Sequence, residues 1–511
     1  MKKQVIPGEE AREQILDGAK LLYEAVSTTL GPKGNNAVIE AYGEPVVTHD
    51  GVTVAKAVEV SSKDRPGVRV GVELIKSSSS KTNDNVGDGT TSSTILAYHL
   101  IDQGLKLIKQ GKNPMMLRRE LDEAAKTVLS KLETLKEDVK TKEAMIQVAT
   151  ISSENKEIGR QVGTMYHKLG KDAMVAVEMG NKPETEYEIV EGFTLDRGLL
   201  SPYMVTDHRT QTTTILNPAV IVYNGSLGSR DVGFVAQQLY DEGRDGLVLI
   251  CEEFKQDLID FAATQKDKFQ LIGIKTPGFG DQRLEMLKDV AAFCGTTVQK
   301  DQIDPSQHGT LGKVVASLKE AVFTGGSDVS EYISDLKARQ NAEKTQIDKD
   351  KIDKRISRLH AKVGQIRVGG NTEMEAEERK YLIDDAVCAT EAAIKEGIVP
   401  GGGTTYVHLS RELTSNTDGE NILKEALQTP FRVLMSNAGE RGGLLLEQLT
   451  EFGKGFDVMG SLELIDLKEH GVIDPVLVIK QAITNAVSVA GSALTTGVLI
   501  VREEENDEKE K

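Results

Sequence analysis

The middle of the chain, from about residue 170 to 330, changes character and carries uninterrupted apolar bursts. Ala219-Val220-Ile221-Val222-Tyr223 and Gly246-Leu247-Val248-Leu249-Ile250-Cys251 are too short for core helices and do not alternate. They read as strands buried on both faces, separated by helices, which is the pattern of an α/β domain. The flanks are helical. Ala11, Ile15, Leu22 and Val26 recur at helical spacing over residues 9 to 30, and Leu30-Gly31-Pro32 is a stop signal. Helical patterns fill 68–83, 90–135, about 375–450 and 474–493. Ala37-Val38-Ile39 and Pro45-Val46-Val47-Thr48 read as short strands. His49-Asp50-Gly51 reads as a hairpin turn into Val52-Thr53-Val54. Helical ends around an α/β centre suggest nesting, in which the two ends form one domain interrupted by the middle; periodicity alone does not prove that pairing. Residues 331–363 read as a charged helical hairpin turning near Thr345 to Asp350, with an extended interaction arm as the alternative. The tail Arg502 to Lys511 is wholly polar and is expected to be disordered.

At 511 residues the chain has room for three to four domains. A formal charge of -17 argues against nucleic acid or an anionic membrane surface as a partner, because both need Lys/Arg patches. Cys251, Cys294 and Cys388 form no CxxC pair and match no zinc spacing, as expected in a reducing compartment. The N-terminus has no apolar stretch of signal-peptide length, and no run of about 18 apolar residues is apparent, so the cytoplasm is expected and no membrane span.

The strongest chemical signal is Gly87-Asp88-Gly89-Thr90-Thr91-Ser92. Two glycines let backbone approach a ligand, hydroxyl residues open a helix, and helix N-terminal amides attract phosphate. A carboxylate beside a phosphate calls for a bridging cation, and Mg²⁺ is held by one or two carboxylates plus phosphate oxygens. An aspartate N-cap between two turn glycines would give the same string. Pro400-Gly401-Gly402-Gly403-Thr404 is a second glycine loop leading into a helix; a flexible joint is the alternative. Walker A, Rossmann, HExxH and Gly-x-Ser-x-Gly patterns are all absent. Asp384-Asp385 lies in a helical stretch, where a carboxylate turned inward could activate water and one turned outward would be a solvated face.

Together these strings resemble the group I (GroEL-type) chaperonins, from about residue 8 to about 501. The resemblance is carried by Thr29-Leu30-Gly31-Pro32-Lys33-Gly34, Thr48-His49-Asp50-Gly51-Val52, the stretch Asn83 to Thr91, Gly192, Asp196-Arg197-Gly198, Leu200-Ser201-Pro202-Tyr203, Lys275-Thr276-Pro277-Gly278-Phe279-Gly280-Asp281, Gly401-Gly402-Gly403 and Ile473-Asp474-Pro475. It implies a multi-domain α/β fold: an equatorial domain from 1–134 and 397–511, an intermediate hinge domain from 135–190 and 364–396, and an apical domain at 191–363. It implies ATP, Mg²⁺ and K⁺ as cofactors. By likeness, Thr29, Leu30, Gly31, Pro32, His49, Asp50 and Gly51 would line the nucleotide. Asp88 would hold Mg²⁺, Gly89, Thr90, Thr91 and Ser92 would surround the phosphates, and Thr29 and Thr90 would help place K⁺. Gly402, Asp457, Val458, Met459 and Asp474 would lie around base and ribose. Asp385 would be the catalytic carboxylate, with Asp50 orienting water, and Arg197 would pair with Glu373 across the hinge. Leu199, Tyr203, Met204, Val232, Val235, Leu239, Ile259 and Ala263 would form an exposed apolar groove for non-native proteins. The implied partners are unfolded or partly folded proteins, a homo-oligomeric ring of seven subunits and a small co-chaperonin.

The sequence departs from the family at His49, where Lys is usual, at Lys395-Glu396 in place of an acidic pair, at Ala263 and Thr264 where a larger aliphatic is frequent, by one extra residue between Asp457 and Asp474, and in lacking a Gly-Gly-Met tail. A group II-like chaperonin, a ring-forming holdase or scaffold with a decayed cycle, and a metabolic ATP-dependent transferase are the competing readings.

Overall fold

The computed structural model describes residues 3–40, 45–60, 65–170, 174–180, 182–207, 211–265, 268–278, 280–343, 346–359, 362–460 and 462–502. The chain divides into two compact units, one from 1–167 with 377–511 and one from 168–376. The expected hinge segments are shared between them. Their helices Lys142–Ser153, Lys156–Leu169 and most of Glu373–Glu396 group with the first unit; their strands Met174–Met179 and Lys362–Val368 group with the second.

The first unit is built from long helices. Gly8–Ser27 buries Ala11, Ile15, Leu22 and Val26 without residual exposure, as the spacing predicts. It lies backbone-to-backbone on Gly67–Val86: a Cβ on Gly18 would overlap the Val68 carbonyl, and one on Gly71 the Ile15 carbonyl. The helix expected over 90–135 is two helices, Thr90–Lys109 and Pro114–Leu135. Gly111 turns left-handed at φ 94°, and Asn113 caps the second helix by accepting from the Met115 and Met116 amides. The strands Ala37–Ile39 and Val46–Thr48 do pair antiparallel, but His49-Asp50-Gly51 is no hairpin turn. Asp50 is instead the N-cap of a helix, Gly51–Ala57, accepting from the Val52 and Thr53 amides. The last helix runs Val476–Leu494, because Ile473–Pro475 is a strand paired with Ile398–Pro400. That helix is long and apolar enough to cross a membrane, although no run of about 18 apolar residues marks it in the sequence; thirteen of its residues are buried. The chain termini are paired as well, Lys3–Pro7 antiparallel to Val498–Arg502, which makes the two ends one folding unit.

Among the described residues the second unit holds three sheets, the smallest pairing Ser226–Leu227 parallel with Glu253–Phe254. In another, Gln270–Lys275, Gly246–Cys251, Ala219–Tyr223 and Val298–Gln299 run parallel, with Gly309–Thr310 antiparallel on the third of these. All six residues of Gly246–Cys251 are buried, which is why that run is continuous rather than alternating. The last sheet has six strands, in the order Met174–Met179, Lys362–Val368, Glu186–Leu195, Ala321–Thr324, Lys313–Ser317 and Thr212–Leu216. The charged hairpin exists as Ser330–Ala342 and Gln346–Leu359, so its turn precedes the expected position and includes residues outside those described. It is no free arm: Ile333, Leu336, Ile356 and Leu359 are buried in the core, and Arg355 reaches buried Asp289 at 2.6 Å. Phe279 and the tail 503–511 lie outside the described residues.

Candidate functional site

The loop between Gly67–Val86 and Thr90–Lys109 is set by two glycines in left-handed conformation, Gly87 (φ 74°) closing one helix and Gly89 (φ 77°) opening the next. Between them Asp88 accepts the Gly89 amide at 2.5 Å. Thr90 is buried, and Thr91 and Ser92 are half-buried in the first turn that follows.

Three other segments pack around this loop. A Cβ on Gly51 would overlap the Thr91 hydroxyl, so the start of the helix capped by Asp50 packs against Thr91. A Cβ on Gly89 would lie 2.5 Å from Val478, four residues beyond Asp474. A Cβ on Gly87 would overlap the Cys388 sulfur, which seats the helix Glu373–Glu396 on the loop. Asp385 and Cys388 are three residues apart and share a helix face, so the face carrying Asp385 is the one turned to the loop. Burial pushes the Cys388 thiol up, and the charges of Asp384, Asp385, Glu391 and Asp88 add to it.

The second glycine loop joins the same cluster. A Cβ on Gly401 would meet Asp474 Oδ1 at 2.7 Å, and Gly402 (φ 63°) and Gly403 (φ 75°) turn into the helix Thr404–Arg411. Asp457 accepts from the Met459 amide; Val458 is buried and Met459 exposed. A Cβ on Gly455 would meet Thr404 at 2.9 Å, which brings that strand beside the glycine loop. Thr29 is buried with its hydroxyl donating to Val26 O at 2.9 Å. The Asn437 amide donates to the carbonyls of Ser27 and Leu30, both at 3.0 Å, fixing the Thr29–Pro32 turn. His49 Nε2 lies 3.3 Å from the Gly31 carbonyl, so the side chain that departs from the family touches this turn.

The electrostatics are one-sided. Asp88 and Asp474 keep some surface, but their carboxyls are crowded by protein atoms. Burial pushes Asp88 up and the Asp50 charge adds to it, while the Gly89 amide opposes both. Burial, then the charge of Asp88, pushes Asp474 up to about 7. Among the described residues, the charges that raise these two are those of other aspartates. Such a cluster favours a cation among its carboxylates. Among the described residues, no three His, Cys, Asp or Glu side chains converge into a metal cage. The arrangement therefore suits an ion that takes one or two carboxylates and completes its shell with ligand oxygens, which is the habit of Mg²⁺ beside phosphates.

In the second unit the expected groove needs correction. Leu199, Met204, Val232, Val235 and Leu239 are buried in the core. On the helix Ser229–Asp241 the inward residues are Val232, Val235, Ala236 and Leu239, and Phe234 points out, 75% exposed. At 100° per residue, a shift of one or two positions exchanges the core face for the solvent face. Tyr203 is 71% exposed on the turn Pro202–Met204, Ile259 is half-buried, and Ala263 is exposed on the neighbouring helix Gln256–Gln265. Arg197 and Glu373 are exposed, and among the described ion pairs none joins them; the neighbouring Asp196 pairs with Arg358 at 3.4 Å. Sequence reasoning missed Phe234; a helical-wheel reading of 229–241 would have found it.

A chaperonin from the bacteriophage EL 2 (Pseudomonas aeruginosa), gp146, solved in the presence of ATP-BeFx, has the same fold in two crystal forms. The TM-scores are 0.67 and 0.62 at 19% identity, over 98% of this chain and 99% of that one. The sequence profile of the TCP-1/cpn60 chaperonin family matches residues 22–504. Because that match spans nearly the whole chain, the chain belongs to the TCP-1/cpn60 chaperonin family.

Proposed function

We propose that this protein is an ATP-driven chaperone, in which ATP hydrolysis at the aspartate cluster powers a cycle of binding and release of non-native proteins. The observation that carries this reading is the packing of the Asp50 cap, the Asp474 segment and the helix bearing Asp385 around the Gly87–Ser92 loop, with the charge of Asp50 raising Asp88 and that of Asp88 raising Asp474. Asp88 would hold Mg²⁺ together with phosphate oxygens, and Thr29 and Thr90 would contribute oxygens to K⁺. The bound Mg²⁺ would supply charge neutralisation at the phosphates. The helix amides at Gly89 to Ser92 bind phosphate, Asp385 accepts a proton from water, and Asp50 helps orient that water. The base and ribose fall to Gly402, Asp474 and the Asp457–Met459 segment.

Client binding falls to the exposed apolar set Tyr203, Phe234, Ile259 and Ala263, because exposed apolar surface captures side chains that a non-native chain has left unburied. The family likeness carries the reading of a seven-subunit ring with a small co-chaperonin, and the exposed strands of the first unit support self-association. Val38, Val46 and Val47 stand exposed on one two-stranded sheet, and Val5, Val498 and Ile500 on the terminal pair. Two-stranded sheets are marginal alone and gain from further pairing. A group II-like organisation finds no specific support among these observations.

The test is steady-state ATP hydrolysis with Mg²⁺ and K⁺, alongside refolding of a denatured client, for wild type and Asp385→Ala. The expected result is wild-type turnover and refolding, with kcat lowered 100-fold or more in the variant while ATP still binds. Equal turnover in both removes Asp385 from the chemistry. ATP-independent client capture with no turnover in either protein leaves the holdase reading.

A further inference from the structure

We propose that Ser78, Thr82, Ser93 and Asn485 are positioning residues of the nucleotide site: a buried chain of hydrogen bonds across three helices that pins both flanks of the Gly87–Ser92 loop and fixes the register in which its amides meet phosphate. The inference rests on the ATP reading of that loop. All four residues are at most 8% exposed, three of them wholly buried. The Ser78 and Ser93 hydroxyls lie 2.6 Å apart, joining Gly67–Val86 to Thr90–Lys109. The Asn485 amide of Val476–Leu494 donates to the Thr82 hydroxyl at 2.9 Å, and that hydroxyl donates to the Ser78 carbonyl at 2.9 Å. Ser93 follows Ser92 directly, and its amide closes the first turn of its helix on the Gly89 carbonyl at 3.0 Å. Thr82 stands before the loop on the other side, and its methyl comes within 3.8 Å of a Cβ built on Gly89. Val478, which also closes on Gly89, lies about two turns from Asn485 on one face of the last helix.

Hydroxyls and an amide are not what this interface needs for stability. A hydrogen bond formed in the interior replaces one made to water, and apolar residues of the same shape would pack there at little or no cost. What the bonds supply is register. Apolar contacts tolerate a small slide or rotation of one helix on another, whereas a bond at 2.6 or 2.9 Å exists at one setting of each helix and leaves a costly unpaired group at any other. With both flanks held this way, the Gly89 to Ser92 amides are in place before nucleotide arrives rather than ordered by it. The local sequence conceals the role: Ser77-Ser78-Ser79-Ser80 reads as a polar outer face, yet Ser78 and Ser79 are buried.

Ser93→Ala deprives the Ser78 hydroxyl of its partner, whereas Ser78→Ala/Ser93→Ala removes both. The single change is expected to lower the thermal midpoint and to weaken equilibrium binding of a non-hydrolysable ATP analogue with Mg²⁺ about fivefold, equivalent to about 1 kcal/mol at about 1.4 kcal/mol per tenfold. In the double variant the midpoint is expected to return to the wild-type value while the loss of affinity stays, with kcat at saturating ATP within about twofold of wild type. Thr82→Val/Asn485→Leu, which keeps the shapes of the second pair, is expected to show the same split and carries the test should the first pair fail to fold. Wild-type affinity in both double variants, or affinity that merely falls and recovers with the midpoint, would overturn the register role and leave the bonds structural. A wild type that neither binds the analogue nor hydrolyses ATP would overturn the nucleotide reading itself, an outcome distinguishable from the others by the wild-type assay alone.

Discussion

The two units of this chain carry their candidate sites in different ways. In the first unit the site is made by backbone: left-handed glycines at 87, 89, 402 and 403, helix amides, and an aspartate cap at position 50. In the second it is made by whichever side chains a helix happens to turn outward, Phe234 rather than Val232 or Val235. A backbone site is written in contiguous strings and survives alignment errors. A side-chain site is decided by helix rotation, where one residue of misalignment is 100°.

The sharpest way to break this contrast is to mutate both faces of Ser229–Asp241. Leu239→Ala, on the inward face, is expected to destabilise the protein by about 3 kcal/mol, within the range for emptying a buried leucine site. Phe234→Ser, on the outward face, is expected to leave stability within about 0.5 kcal/mol and to weaken capture of a denatured client. Denaturant titration and client co-sedimentation read the two effects. A stable Leu239→Ala that lost clients would restore the original groove assignment.

Titration separates the units further. In the first, His99 packs edge-on against Tyr23 and Tyr98, at centroid distances of 5.3 and 5.1 Å. Burial lowers its pKa from 6.5 to about 4, with Asp102 opposing and Arg432 and Lys106 assisting. The unfolded chain therefore binds a proton that the folded one refuses between pH 6.5 and 4, and stability is lost as pH falls through that window, by roughly 2–3 kcal/mol. His99→Gln should flatten the slope of stability against pH there; an unchanged slope would remove His99 as its source. In the second unit, burial pushes Glu285 up, but Lys288 and Arg355 outweigh it and hold the carboxyl below 4.5. Its contribution is present above that value and declines only at more acid pH.

The smallest expected effect concerns the family departure at position 49. His49 meets the site only through the Gly31 carbonyl, so His49→Lys, which can donate to the same oxygen, should change nucleotide affinity by less than about twofold in equilibrium binding. A larger change would mean that a second site in the first unit depends on side-chain identity, and the contrast between the units would weaken.

Where the sequence succeeded and failed follows the same division. The α/β centre was legible because Ala219–Tyr223 and Gly246–Cys251 are apolar throughout, which only a strand covered on both faces requires. The break at Gly111 to Pro114 and the helix after Asp50 were missed, although both carry signals: a glycine and a proline in one case, an aspartate cap in the other. The apolar spacing of the 331–363 hairpin was seen, but its burial was not, because Asp289, which holds Arg355, is 66 residues away.

By itself the sequence determined the local conformations on which the first unit's site depends, since glycine at positive φ, caps and helix amides act within a few residues of one another. The tertiary structure alone decided which of these meet. The Asn437 amide on the Ser27 and Leu30 carbonyls, the Cys388 sulfur on Gly87 and the pairing of Lys3 with Arg502 all join residues hundreds of positions apart. Such contacts exist because apolar burial across the whole unit outweighs the entropy of closing those loops, and no stretch of a few residues contains that balance.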